Sequence, residues 1–242
     1  ETLQDAAIAI DAVTADSLAQ QGVQTADDIS KAIPSISIVN GGGTSSSVFL
    51  RGVGNITNNA YYDAAISSNY DGVVLGRASG SFTSAFFDLS RVEVLKGPQG
   101  ILYGRNATGG AVNIIPQRPE IGRTKVGFIG SVGNFDALSV EGFACVAVTD
   151  NSALRVSGTI QKHDGYNRDG SDDLDRSAIR AQFLFEPTSD LSVRIAGDYT
   201  DIGGVGAGAG YIGHYQGPTF VPSNLDADEG MFTAAADAYR KL

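Results

Sequence analysis

Two hydrophobic patterns divide the chain. After Pro119 apolar residues alternate with polar ones at period two, which marks strands with one apolar and one polar face. Leu154, Val156, Gly158 and Ile160 share one face of such a stretch, and Arg155, Ser157, Thr159 and Gln161 share the other. Leu191, Val193, Ile195, Gly197 and Tyr199 alternate in the same way with Ser192, Arg194, Ala196 and Asp198. Residues 138–148 and 179–185 repeat the pattern, and 124–132 do so more weakly. The pattern predicts five antiparallel strands of about nine to eleven residues each.

Before Pro119 the signals are mixed. Residues 6–13 read as a strand, and Thr14 then opens a helix that runs to Gln21 and stops at Gly22. Thr25, with Asp28 three residues on, opens a second helix that ends ahead of Pro34. Short strands follow at 36–39, 48–51, 72–75, 91–95 and 111–115, with connections rich in Gly, Ser and Asn. The expectation is an α+β domain over residues 1–120 and a sheet domain over 121–242.

The connections of the second half sharpen this picture. In order they read GNFD, TDNS, HDGYNRDGSDDLD, EPTSD and a long Gly-rich tract from Asp201. Every second one, TDNS and EPTSD, is short. Transmembrane barrels sort their loops this way, with short turns at one end and longer loops at the other, whereas a soluble sandwich has no reason to. Composition agrees: 42% hydrophobic and 18% charged residues argue against disorder, and 31 glycines with no tryptophan suit a β-rich chain with many tight turns. The net charge of −10 disfavours a nucleic-acid partner, because phosphate contacts need clustered Lys and Arg. The single cysteine, Cys145, excludes an intramolecular disulfide and a multi-cysteine metal site. It shares its strand face with Glu141 and Phe143. No apolar run is long enough for a helix to cross a bilayer.

Several stretches suggest chemistry, and each departs from the motif it suggests. KGPQGILYGRNATGG, residues 96–110, has the glycine content of a phosphate-cradling loop, but its lysine precedes the glycines and the strand-like AVNII follows them. GGVGAGAG, residues 203–210, has no helix after it and no βαβ unit around it. His163 and His214 lie in connections outside any catalytic motif, and no nucleophile elbow is present. The acidic loop 164–175, aligned on Gly170, has Gly165 and Arg176 where calcium ligands are needed. No catalytic residue, metal ligand or cofactor is therefore assigned, and an enzyme is not expected.

Extended, the glycine-rich stretch reads RVEVLKGPQGILYGRNATGGAVNII, residues 91–115. It resembles the plug domain of TonB-dependent outer-membrane receptors. VFLRGVG at 48–54 is similar to that plug's R-G motif, and NYDGVVLG at 69–76 to its D-G-V strand. ETLQDAAIAIDAVTADSL resembles the plug's start, and QRPEIGRTKVGF the hand-over to the barrel. The residues that carry the motif are Arg51, Gly52, Lys96, Gly97, Pro98, Gly100, Tyr103, Gly104, Gly109, Gly110 and Asn113.

The resemblance implies an α+β plug inside an antiparallel transmembrane barrel of about 22 strands, of which five are present. Five strands cannot close, so the chain is expected to be a portion of a longer receptor, with the energy-coupling box not seen ahead of Glu1. It further implies energised uptake of a scarce nutrient (siderophore-iron, cobalamin, haem or oligosaccharide) across the outer membrane of a Gram-negative bacterium. The implied partners are the TonB energy-transducing protein, outer-membrane lipid and a small-molecule or chelate ligand. The outward plug loops are the expected ligand contacts, through Asn55, Tyr61, Tyr62, Arg77, Ser81 and Phe82. Arg51, Arg91, Lys96, Arg105 and Arg118 are expected to meet carboxylates on the barrel wall. The alternative is a soluble periplasmic or surface ligand-binding module with a plug-like fold. The two differ in whether Leu154, Val156, Ile160, Val193, Ile195 and Tyr199 face lipid or a second protein layer.

Overall fold

The computed structural model describes residues 9–23, 26, 28–40, 46–55, 64–75, 86–104, 106–168, 170–206, 213–216 and 219–222. The first half opens with β1 (Ile10–Thr14) and α1 (Ala15–Gln20). The Thr14 hydroxyl accepts the Ser17 amide at 3.4 Å, and Gly22 at φ 67° turns the chain out of the helix, as the sequence predicts. The next helix, α2 (Ile29–Ala32), is shorter than the pattern suggests and starts after Asp28. A hairpin of β2 (Ile36–Asn40) and β3 (Ser46–Leu50) follows.

The main sheet of this half combines β1 with β4 (Ile66–Tyr70), β5 (Val73–Val74), β6 (Leu89–Lys96) and β7 (Gly110–Pro116), in the order β1-β6-β7-β4-β5. The β4–β7 pair is parallel and the other pairs are antiparallel. Strand β4 is absent from the sequence reading because Ser67, Ser68 and Asn69 look like loop residues; all three are buried. A short helix α3 (Gly100–Tyr103) also interrupts the stretch read as a turn. Leu18, Ile29, Ile33, Ile36, Leu50, Val92, Val94, Val112 and Ile114 meet in one apolar core between the sheet, the helices and the hairpin.

The second half is an antiparallel meander of β8 (Lys125–Val132), β9 (Leu138–Thr149), β10 (Ser152–His163), β11 (Leu174–Thr188) and β12 (Leu191–Gly203). The five predicted strands are all present, most of them longer than their alternation. Tight turns join β9 to β10 and β11 to β12. At the other end, the β10–β11 loop is tied to the residues after β12: the Asp173 carboxylate accepts the Val205 and Gly206 amides at 2.7–2.9 Å. The Gly-rich tract is not wholly a loop, since β13 (Gly213–Gln216) and β14 (Thr219–Pro222) form a hairpin within it.

Register sets which residues share a face. Lys125, Cys145, Arg155 and Gln182 stand on one rung, and their side of the sheet faces the first half of the chain. Phe128, Gly142, Gly158, Ile179 and Tyr199 form a rung on the opposite side. Ile160, Ile195 and Tyr199 are exposed there at 45%, 67% and 67%, while Arg155, Ser157 and Thr159 on the inner side are at most 5% exposed. Along β10 and β11 the sheet has a buried polar face and an open apolar one.

Candidate functional site

The inner face of the five-stranded wall is built to hold the first half of the chain. The Arg155 guanidinium donates to both Asp88 carboxylate oxygens, at 2.8 and 2.5 Å, with the Phe143 ring 4.0 Å beneath it. Both side chains are nearly inaccessible, at 4% and 6% exposure, so neither charge has water as a substitute partner. The Asp88 amide donates to the Glu141 carboxylate at 2.8 Å. Beside it Arg180 lies over the rings of Phe87 and Tyr70, donates to the Phe87 carbonyl at 2.9 Å and pairs with Asp198 at 2.5 Å. The Tyr70 hydroxyl completes that side at 3.3 Å from Asp198.

A second arm starts from Asp71, which pairs with Arg194 of the wall and with Arg118 at 3.6 Å. Arg194 also donates to the Gln182 side-chain carbonyl at 2.9 Å, and Gln182 donates to the Gln117 carbonyl at 2.7 Å. The Gln117 amide returns to the Asp88 carbonyl at 2.9 Å. The bonds close into a ring: 70–71, Asp198 and Arg180, 87–88, Gln117, Gln182, Arg194 and back to Asp71. Both anchoring carboxylates sit in left-handed backbone, Asp71 and Asp88 each at φ 48°, a conformation that Asp tolerates better than most residues. Burial raises the Tyr70 hydroxyl above the usual tyrosine range, with Arg180 opposing, so it stays protonated.

This pairing reverses the polarity expected from the sequence. The wall supplies the cations and the first half the carboxylates. Lys96 pairs with Asp11 at 2.5 Å and Arg91 with Glu93 at 2.7 Å, both within the first sheet, and Arg118 turns back to Asp71. The exposed Arg51 sits at a left-handed turn with Gly52, its amide bonded to the Ser35 carbonyl at 2.8 Å. Arg105 lies outside the described residues. Near the hand-over, the Lys125 ammonium and then Arg123 hold the half-buried Glu120 carboxyl below its ordinary range, and the Glu120 amide reaches the Cys145 sulfur at 3.4 Å.

The glycine-rich stretch is packed backbone. A Cβ on Gly110 (φ 150°) would come within 2.4 Å of the Leu95 carbonyl, and one on Gly109 within 2.7 Å of Ile66 and Val53. Gly97 donates to the Gly109 carbonyl at 3.1 Å across the loop, and exposed Pro98 leads into α3, which starts at Gly100 and is capped by Gly104. Asn113 donates to the Tyr103 hydroxyl at 2.7 Å, fastening α3 to β7. Of the expected ligand contacts, Asn55 is half-buried just beyond the Leu50–Val53 bridge. Tyr61, Tyr62, Arg77, Ser81 and Phe82 lie outside the described residues.

A plug-like sheet fastened to an antiparallel wall that is polar inside and apolar outside defines a class of plugged barrel. The family model of the TonB-dependent receptor plug domain matches residues 2–111. Residues shared with the pesticin receptor of Yersinia enterocolitica are 36% identical over 127 positions, covering 52% of this chain and 18% of that protein. The vitamin B12 transporter BtuB of Vibrio vulnificus is 29% identical over 146 residues, 58% of this chain and 22% of that protein. Among solved structures, the ferric yersiniabactin uptake receptor FyuA of Yersinia pestis superimposes with a TM-score of 0.68 at 28% identity, covering 80% of this chain and 32% of that one. The pyoverdine receptor FpvA of Pseudomonas aeruginosa shares the fold over 95% of this chain and 30% of its own, with a TM-score of 0.74 at 20% identity. Residues 2–111 thus match the plug domain of TonB-dependent receptors, and the plug-like sheet and the five-stranded wall together share the fold of an outer-membrane uptake receptor. The chain spans about a fifth of the length of the curated relatives it matches.

Proposed function

We propose that the receptor to which this chain belongs imports a scarce nutrient across the outer membrane in a step energised through TonB. The observation that carries this reading is the ring of bonds that seats the plug on the inner face of a wall whose outer face is apolar. A plug so held occludes a lumen, and a blocked lumen is useful only if the plug can be rearranged on demand. Residues 1–120 act as the plug and 121–242 as barrel wall. TonB supplies the work by pairing with a strand-forming segment of the receptor, a form of β-augmentation. The outward plug loops, through Asn55, Tyr61, Tyr62, Arg77, Ser81 and Phe82, take the ligand by combining aromatic surface with polar donors.

Siderophore-iron, cobalamin, haem and oligosaccharide are the candidate cargoes. Among relatives named for a cargo, one takes ferric yersiniabactin and another vitamin B12, which favours a chelate or a cofactor-sized molecule. The receptor does no covalent chemistry on its cargo. The soluble alternative is disfavoured by the apolar outer face, which leaves Ile160, Ile179, Val193, Ile195 and Tyr199 exposed together. The test is uptake of labelled candidates by cells carrying or lacking the full-length gene. Gene-dependent, TonB-dependent accumulation of one candidate is expected; equal uptake of all of them in both strains contradicts the proposal.

A further inference from the structure

The outer face of the wall is not evenly covered. Gly142 and Gly158 stand side by side on it, so no side chain rises between Phe128 on one flank and Ile179 on the other. A groove of about 480 Å³ lies over the two glycines, edged by Val140, Ile160, Ile179 and Tyr199, and its lining is mostly apolar. The groove is off-centre along the strands. Gly142 lies closer to Leu138 than to Thr149, and Tyr199 closer to Gly203 than to Leu191. Leu138 and Gly203 are at the end that carries the longer loops, which in membrane barrels is the outer end. Further toward that end, Lys162 follows Gly158 and Ile160 on the same face of β10. Its ammonium lies 3.2 Å from the Asp175 carboxylate, with the two side chains 53% and 50% exposed.

We propose that this groove beds an acyl chain of a phosphorylated outer-leaflet glycolipid, of the lipid A type, whose phosphate is met by Lys162. The occupant follows from where the groove opens. The face around it is turned to lipid, so an acyl chain enters without leaving the bilayer, and the position toward the outer end selects the outer leaflet. Two neighbouring positions without side chains let the chain sink against Val140, Ile160 and Ile179 and gain dispersion contacts that a level face would not give. Lys162 stands about 13 Å along the strand from Gly158, at the lip where a head group sits. Its pair with Asp175 is open to water and so holds the ammonium weakly, and a phosphate makes the stronger charge-assisted bond. The inference rests on the wall's place in the membrane and is independent of what the receptor imports.

The test uses the full-length receptor purified in detergent, with heat-modifiable mobility confirming a folded barrel. Lipid A is titrated in and the bound lipid is counted by native mass spectrometry. Gly142→Leu fills the groove, and the first atom of its side chain has room, since a Cβ there meets nothing nearer than the Gly127 carbonyl oxygen at 3.4 Å. Lys162→Gln removes the exposed cation and leaves the strand undisturbed. Ile195→Ala, on the same face but outside the groove, is the control. The expected result is several-fold weaker lipid A binding in Gly142→Leu and in Lys162→Gln, with Ile195→Ala binding as the wild type does. Unchanged binding in either folded variant, or an equal loss in Ile195→Ala, overturns the proposal. Equal competition by phosphatidylethanolamine overturns it as well, and so does a receptor dimer, abolished by Gly142→Leu, in place of bound lipid.

Discussion

The plug sheet and the wall sheet each have five strands and both alternate apolar with polar residues, but they bury opposite faces. In the plug, Val92, Val94, Val112 and Ile114 are fully buried against helices and the β2–β3 hairpin. In the wall, Arg155, Arg180 and Gln182 are at most 3% exposed, while Ile195 and Tyr199 on the other face stand open at 67%. Alternation therefore specifies a strand with two unlike faces, and the surroundings decide which is covered. In water the apolar face goes inward. In a bilayer it goes outward, and the inner face is free to carry the charged seat for a second domain.

The sharpest way to break this comparison is to remove the seat. Asp88→Asn keeps a residue that accepts left-handed backbone but leaves Arg155 buried without its charge partner. Stranding one member of such a pair costs about 3–5 kcal/mol. The expected outcome is a plug that protease reaches in a full-length receptor whose barrel remains folded. Replacing both partners together by apolar residues should restore much of that protection. An intact plug in Asp88→Asn would show that the pair is peripheral.

The plug core gives the next largest effect. Ile114→Ala should cost about 2–5 kcal/mol, read as a lowered denaturant midpoint of the plug. Ile195→Ala, the same truncation on the open face of the wall, should change that midpoint little. Charge distinguishes the faces in the other direction. Ile179→Arg on the outer face should weaken insertion into vesicles by up to about 2–4 kcal/mol if the site lies near mid-bilayer, less toward the interface.

How far these contrasts were legible from the sequence depends on how local their causes are. The Thr14 cap, the stop at Gly22 and the strands β8–β12 follow from neighbouring residues, and each was anticipated. Strand β4 was not, because Ile66-Ser-Ser-Asn-Tyr70 carries polar residues that only burial beside β7 makes strand-like. The seat was invisible for another reason. Asp88 and Arg155 are 67 positions apart and Asp71 and Arg194 are 123 apart, and no local pattern pairs them. For Arg91, Lys96 and Arg118 the expectation of a wall carboxylate failed on that ground: Glu93, Asp11 and Asp71 lay closer to them.

Smaller effects refine the seam. Tyr70→Phe removes one hydroxyl contact and should cost about 0.5–1.5 kcal/mol of plug stability. Because burial raises the Tyr70 pKa in the fold, its contribution is complete below the unfolded value of about 10 and is lost as pH rises beyond it. An absorbance titration should show one tyrosine still protonated above that pH until the plug unfolds. The least effect belongs to Lys125→Ala. It relieves most of the depression of the half-buried Glu120 carboxyl, whose contribution is present above its unfolded pKa and fades as pH falls through the folded one. Carboxyl NMR should find Glu120 titrating nearer its ordinary range, with thermal stability little altered.

The wall turns its apolar face to lipid and its polar face to the plug. Spin labels placed singly at 154–161 of the full-length receptor in bilayers test it directly. Labels at Leu154, Val156 and Ile160 should be accessible to lipid-soluble oxygen, while those at Ser157, Thr159 and Gln161 should be shielded from it, giving a period of two along the strand. Accessibility without that period, or shielding of Leu154, Val156 and Ile160 by another protein layer, would contradict the account.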